Sequence, residues 1–224
     1  MSNPIKIAII GDYNFAYHSH NATNQALQHC ESIFETPINL YWLTEEECCT
    51  TSSNFIDEYD GVLLAPGPYK QPFYLISVIQ KLYASKIPVL GTGDCFKLLI
   101  EDFFNGQGYN LKAEKIISDN LVEGNHFNAI QLDNFSPEFK KLFKTRSGTE
   151  YSSSRFSMLP QYADLLLSEY EICARNQYFD PEIIRKKNHP FYLFTMFCPQ
   201  MVSSADLPHP VFTFFIEHVI RMQN

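Results

Sequence analysis

The stretch Ile87 to Phe103, IPVLGTGDCFKLLIEDF, decides how this chain folds. Its opening run, Ile87-Pro88-Val89-Leu90, reads as a short buried strand, and Gly91-Thr92-Gly93 as a sharp turn. Phe96, Leu98, Leu99, Ile100 and Phe103 then recur at helical spacing. Glycines beside such a turn let the backbone fold back without side-chain clash. In α/β proteins this bend lifts a nucleophile off the carboxyl edge of a sheet. That chemistry needs Cys or Ser at the apex, and by register the apex here is Gly93.

Working outward, Ile5 to Ile10, IKIAII, is a continuous apolar strand of the kind buried on both faces, ended by Gly11-Asp12-Tyr13-Asn14. Residues 20 to 29 read as a helix with Ala22, Ala26 and Leu27 turned inward. Ile38 to Leu43 is a second strand, and Thr44 with Glu47 has the spacing of a helix capping box. Val62 to Ala65 is a third strand, and Phe73 to Ala84 is an amphipathic helix leading to the elbow. Beyond the elbow helix, Gln107 to Ser118 and His126 to Asp133 read as further strands, and Ser136-Pro137 as a capped helix start. Glu169 to Ala174, Pro181 to Ile184 and the segment from His189 to Cys198 are the last strands, and Thr213 to Met222 is a closing helix. The pattern predicts a doubly wound α/β fold with a mostly parallel central sheet flanked by helices. Its cleft should lie at the carboxyl ends of the strands.

A length of 224 residues suits one domain, 1–224, with a core on both sheet faces. The net charge is −8 and the 17 Lys and Arg residues are scattered apart from Arg185-Lys186-Lys187, so no nucleic-acid partner is expected. The N-terminus shows no charged leader with an apolar stretch, and no apolar run could span a bilayer. No membrane association is expected, and the location expected is cytoplasmic. Six cysteines without C-x-x-C spacing read as reduced, mostly core thiols. No metal and no cofactor are expected.

The elbow GTGDCF, the loop Pro66-Gly67-Pro68-Tyr69 and the later strand FYLFTMFCPQ resemble the class I glutamine amidotransferase fold (flavodoxin-like), and within it the glutaminase domain of CTP synthase. Ala16-Tyr17-His18-Ser19 with Gln25-Ala26-Leu27, the segment around Arg155, and His209-Pro210 extend the likeness nearly end to end. In that family the elbow reads G-x-C-x-G and the later strand ends in H-P-E. The resemblance therefore places Gly93 at the nucleophile, Cys198 at the base and Gln200 at its orienter. The chain is also similar to the stand-alone CTP-synthase C-terminal-region-related (seleno)proteins, which read GTCGGFQ at the elbow and S-P-Y at the loop.

The family loop supplies an oxyanion-stabilising amide. Pro68 has no N–H to offer, so Gly67 and Pro68 are expected to line a binding cleft rather than complete a catalytic one. Asp94 beside the apex and Arg155, whose family counterpart helps bind the glutamine carboxylate, complete the expected ligand-binding set. The ligand implied is a small glutamine-like molecule. A separate synthetase or another protein is the implied partner, and a homodimer stays open. The function expected is a degenerate glutaminase-like protein without activity.

The rival expectation is a divergent thiol hydrolase or amidotransferase built on Cys95 or Cys198. It requires either sulfur to sit in the cleft beside a base such as His18 or His20. Each candidate also has a plainer reading. Cys95 packs in the core, Cys198 lines the cleft, His18 and His20 are solvated loop residues, and Glu45-Glu46-Glu47 is a solvated helix face. His126, His189 and His209 are isolated packing histidines, and Arg155 is a surface ion pair if it does not meet a ligand.

Overall fold

The computed structural model describes residues 4–50, 54–111, 114–122, 124–133, 137–143 and 148–223. Among the described residues nine strands form one sheet: β1 (Ile5–Ile10), β2 (Ile38–Leu43), β3 (Gly61–Leu64), β4 (Val89–Thr92), β5 (His126–Leu132), β6 (Thr149–Ser152), β7 (Tyr170–Asn176), β8 (Pro181–Lys186) and β9 (Tyr192–Thr195). Their order is β2-β1-β3-β4-β9-β8-β7-β5-β6. The pairs from β2 through β9 are parallel, and those from β9 to β6 are antiparallel. The sheet is thus mixed, and the doubly wound parallel half carries the elbow. The antiparallel half follows from the short turn between Asn176 and Pro181, which can only return the chain beside itself.

The described residues include seven α-helices that flank the sheet: α1 (His18–Phe34), α2 (Glu45–Thr50), α3 (Pro72–Ala84), α4 (Cys95–Gly106), α5 (Pro137–Phe143), α6 (Pro160–Leu166) and α7 (Pro210–Gln223). Strand side chains alternate between faces. On β1, Ala8 and Ile10 join the cluster packed by α3 and α4, while Ile5, Ile7 and Ile9 join the one packed by α1 and α7. That is why an unbroken apolar run, rather than alternation, marks this strand. The capping box forms as expected. The Thr44 N–H donates to Glu47 Oε2 at 2.8 Å and the Glu47 N–H to Thr44 Oγ1 at 3.2 Å.

Three local expectations need correction. Gln107 to Ser118 forms no strand among its described residues. α4 ends at Gly106, Gly108 takes a positive φ of 85°, and the segment makes only an isolated bridge, Ile117 to Met158. In α1 the buried stripe runs through His20, Thr23, Ala26, Leu27 and Cys30, leaving Ala22 half-buried on the edge of that stripe. Glu45 is not a solvated face residue. It is 2% exposed, one of its oxygens is buried without a partner, and burial raises its pKa. The expected Ser136 cap lies outside the described residues, although α5 begins at Pro137 as read.

The six cysteines are all free, and only Cys49 is not fully buried. Among the described residues no helix is long and apolar enough to cross a membrane. Because Ile9 is completely buried, Ile9→Ala is expected to lower the unfolding free energy by roughly 2–5 kcal/mol, measured by urea denaturation; a change within about 0.5 kcal/mol would mean that the core is not packed this way.

Candidate functional site

The elbow is built as the sequence predicts. β4 ends at Thr92, Gly93 turns with φ +70°, and α4 starts at Cys95. Neighbouring β3 runs parallel, with Leu64 opposite Gly91, so the loop Pro66-Gly67-Pro68 emerges directly beside the elbow. The two loops touch. The Asp94 N–H donates to the Pro66 carbonyl at 3.1 Å, and the Gly93 N–H donates to Thr195 O at 2.9 Å. A Cβ on Gly93 would lie 2.8 Å from that same Pro66 oxygen and 3.0 Å from Pro66 Cβ. No side chain fits at the apex unless the Pro66 backbone moves.

Over this elbow opens a cleft of about 420 Å³, lined by Tyr17, His18, Gly67, Pro68, Asp94, Tyr151, Ser153, Ser154 and Cys198 among others. Of the residues expected there, Gly67, Pro68, Asp94 and Cys198 are brought together. Gly93, Cys95, Gln200 and Arg155 do not line it. Asp94 Oδ1 accepts from Ser154 Oγ at 2.9 Å, and burial raises the Asp94 pKa, opposed by the Ser154 hydrogen bond.

Cys95 points beneath the elbow. It is fully buried, its Sγ lies 3.3 Å from Thr92 O, and burial drives its thiol pKa far up. Cys198 lies in the cleft wall, anchored by its N–H to Tyr151 O at 2.8 Å, with its thiol pushed up to about 12 by burial. Gln200, in the 3₁₀ turn Pro199–Val202, bridges Thr23 and Thr92. Its Nε2 donates to both hydroxyls at 3.2 Å, while its Oε1 is buried without a partner.

The expectation that Arg155 forms a surface ion pair does not hold among the described residues. Its guanidinium stacks 4.0 Å over the Tyr178 ring and its Nε is buried without a partner. His18, the first residue of α1, is exposed at the cleft as read. His20 is not a solvated loop histidine. It is 1% exposed, accepts the Asn14 N–H at Nδ1 (3.1 Å) and donates from Nε2 to Gly67 O (3.1 Å). Burial lowers its pKa, so it is a neutral strut for the Pro66–Pro68 loop. Among the described residues neither Cys95 nor Cys198 has a histidine within hydrogen-bond distance.

Sequence reasoning missed the polar layer behind the cleft. On β6, Tyr151 lines the cleft while Glu150 and Ser152 flank it and point to the opposite face. His209 is likewise not isolated. Its Nδ1 accepts the Val211 N–H, so its Nε2 donates to Glu150 Oε1 at 3.1 Å, with both side chains buried. Asn176 donates to Glu182 Oε1 at 2.8 Å, and burial lifts Glu182 to about 7. Only the polar letters E-x-S at 150 and 152, inside a strand, hinted at this.

With the geometry in hand, the comparisons fall into place. Over 240 residues, 97% of this chain, the sequence is 22% identical to a CTP synthase of Phytoplasma australiense. Over 245 residues it is 24% identical to that of Mycoplasmopsis pulmonis. Both matches take in 44% of the relative, so the chain spans somewhat less than half the length of the curated relatives it matches. The glutaminase domain of Trypanosoma brucei CTPS, solved with bound acivicin, superposes with a TM-score of 0.79 over 97% of this chain and 94% of that one, at 16% identity. The chain is thus similar to the glutaminase part of CTP synthase. A ThuA-like protein from Bacteroides uniformis follows at a TM-score of 0.55, 9% identity and 98% of this chain, a likeness of fold alone. No protein-family model matches. In this glutaminase-like fold the elbow, the Pro66–Pro68 loop and the end of β9 meet at the carboxyl edge of the parallel strands, where an α/β cleft belongs.

Two measurements probe this environment. Because burial raises Glu182 above the ordinary carboxylate value, the folded state holds its proton where the unfolded chain has lost it. Stability should therefore fall by roughly 3 kcal/mol as pH rises from about 4.5 to about 7. Glu182→Gln should flatten that slope in denaturation curves across this range; an unchanged slope would show that another group titrates. Since thiolates are the reactive form, iodoacetamide at neutral pH should label Cys95 and Cys198 only after unfolding, as read by peptide mass spectrometry. Rapid labelling of either in the native chain would contradict the burial described.

Proposed function

We propose that this chain is a glutaminase-like protein that does not hydrolyse glutamine and uses its cleft to bind a small amino-acid-like molecule or to present it to a protein partner. The observation that carries this reading is the apex of the elbow. Gly93 has no attacking atom, and the Pro66 carbonyl lies where a side chain would begin. Two further features support it. The Asp94 amide, one of the donors nearest the apex, is already bonded to Pro66 O. The positions the resemblance gives to base and orienter hold a thiol pushed up to about 12 and a glutamine tied to two threonines.

Neither alternative nucleophile is well served by its surroundings. Cys95 lies in the core under the elbow and, among the described residues, no histidine is hydrogen-bonded to Cys198, so no specific contact favours a thiol hydrolase. More than half the length of the relatives is not covered by this chain. A separate synthetase as partner is therefore consistent with the relatedness, and the cleft, lined by exposed Tyr17 and His18, is the surface such a partner would approach.

The test is ammonia release from glutamine by the purified chain, with and without Gly93→Cys. No release is expected from either. The variant should also be destabilised, by about 1–2 kcal/mol for the left-handed backbone alone, with the contact on Pro66 added to that. Hydrolysis by the native chain that disappears in Cys95→Ala or Cys198→Ala would replace this reading with the thiol enzyme.

A further inference from the structure

Resting on the binding role just proposed, we infer that the cleft over Gly93 selects a small organic ammonium and disfavours ligands whose only charge is a carboxylate.

The argument begins with the charges that face the cleft. Among the described residues lining it, Asp94 is the one carboxylate, and there is no lysine or arginine. The nearby cations are held elsewhere. Lys97 lies 4.8 Å over the Phe156 ring and 3.7 Å from Glu101, while Arg155 stacks on Tyr178. No cationic side chain of the described residues lies within ion-pair distance of Asp94. Its carboxylate is steadied by the Ser154 hydrogen bond to Oδ1 and, at longer range, by the charge of Lys97, which does not pair with it. Oδ2 sits against the bare Cα of Gly67, where an added Cβ would come within 3.0 Å of it. A half-buried carboxylate without a counter-ion is costly, and a ligand cation placed beside it recovers that cost.

The remaining lining has the chemistry that accommodates an ammonium. Tyr17 and Tyr151 contribute aromatic rings, which attract cations through their faces. Ser153, Asn120 and Asn125 contribute neutral polar groups. A carboxylate entering here would meet Asp94, with no lysine or arginine among the described lining residues and only the His18 imidazole to offset the repulsion. A cleft of about 420 Å³ is of a size for a small molecule of this kind.

The experiment is isothermal titration of the full chain with three probes. They are glutaminamide, which has an ammonium and no carboxylate; N-acetylglutamine, which has the reverse; and glutamine, which has both. Glutaminamide should bind at least about tenfold more tightly than N-acetylglutamine, with glutamine between them. Asp94→Asn should abolish that order, and Asp94→Glu, which keeps the charge, should retain it. Thermal melts of both variants report whether they are folded, and the native chain alone decides if they are not. Equal or tighter binding of N-acetylglutamine, or no binding of any probe at millimolar concentration, would overturn the charge preference and leave the non-hydrolytic reading standing. Ammonia release from glutamine would sink that reading, and the order of the two derivatives would still be measured.

Discussion

The contact between the Pro66 carbonyl and the elbow at Gly93-Asp94 is the constraint on which the site depends. It exists because β3 and β4 are parallel neighbours whose carboxyl ends deliver their loops side by side. It can be this close because residue 93 has no Cβ and accepts a left-handed backbone. One such hydrogen bond contributes only about 1 kcal/mol net. Its importance is geometric. It closes the space above the apex, takes up the Asp94 amide, sets the Asp94 side chain at the lip of the cleft and leaves Cys95 beneath it.

Around that contact, the loops are held by side chains that bridge elements far apart in sequence. His20 ties α1 to Gly67 on one side and to Asn14 on the other. Gln200 joins the end of β9 to Thr23 of α1 and Thr92 of β4. Glu150 and His209 link β6 to the start of α7 through a buried pair. In a low-dielectric interior such hydrogen bonds are strong when satisfied and costly when not. One oxygen each of Gln200, Glu150 and Glu182 in this layer is buried without a partner. Walls pinned in this way hold the cleft in one shape.

The likeness to CTP synthase bears on architecture more than on chemistry. A TM-score of 0.79 at 16% identity means that the backbone course has outlasted most of the side chains. Function resides in the site rather than in the fold that carries it. Here the site presents a glycine at the apex, a buried thiol just after β9, and a carboxylate at the N-terminus of α4.

The local patterns were legible in the chain itself. The runs IKIAII and IPVL, the glycine turn and the helical spacing after it give the parallel half of the sheet, because two-residue and 3.6-residue periods are properties of neighbouring residues. The apex at Gly93 and the cap at Thr44 could be read for the same reason. What could not be read depends on separation. His20 meets Gly67 across 47 positions and Glu150 meets His209 across 59, so neither burial nor pairing shows in the letters. Gln107 to Ser118 carries residues a strand could use, yet no neighbouring edge pairs with it beyond one bridge. Composition and spacing determined the layers and the bend, since each arises from contacts within a few residues. Only the tertiary structure decided that Pro66 closes on the bend, that Cys95 turns away and that Asp94 faces the cleft, because those outcomes depend on which loops the sheet order places side by side.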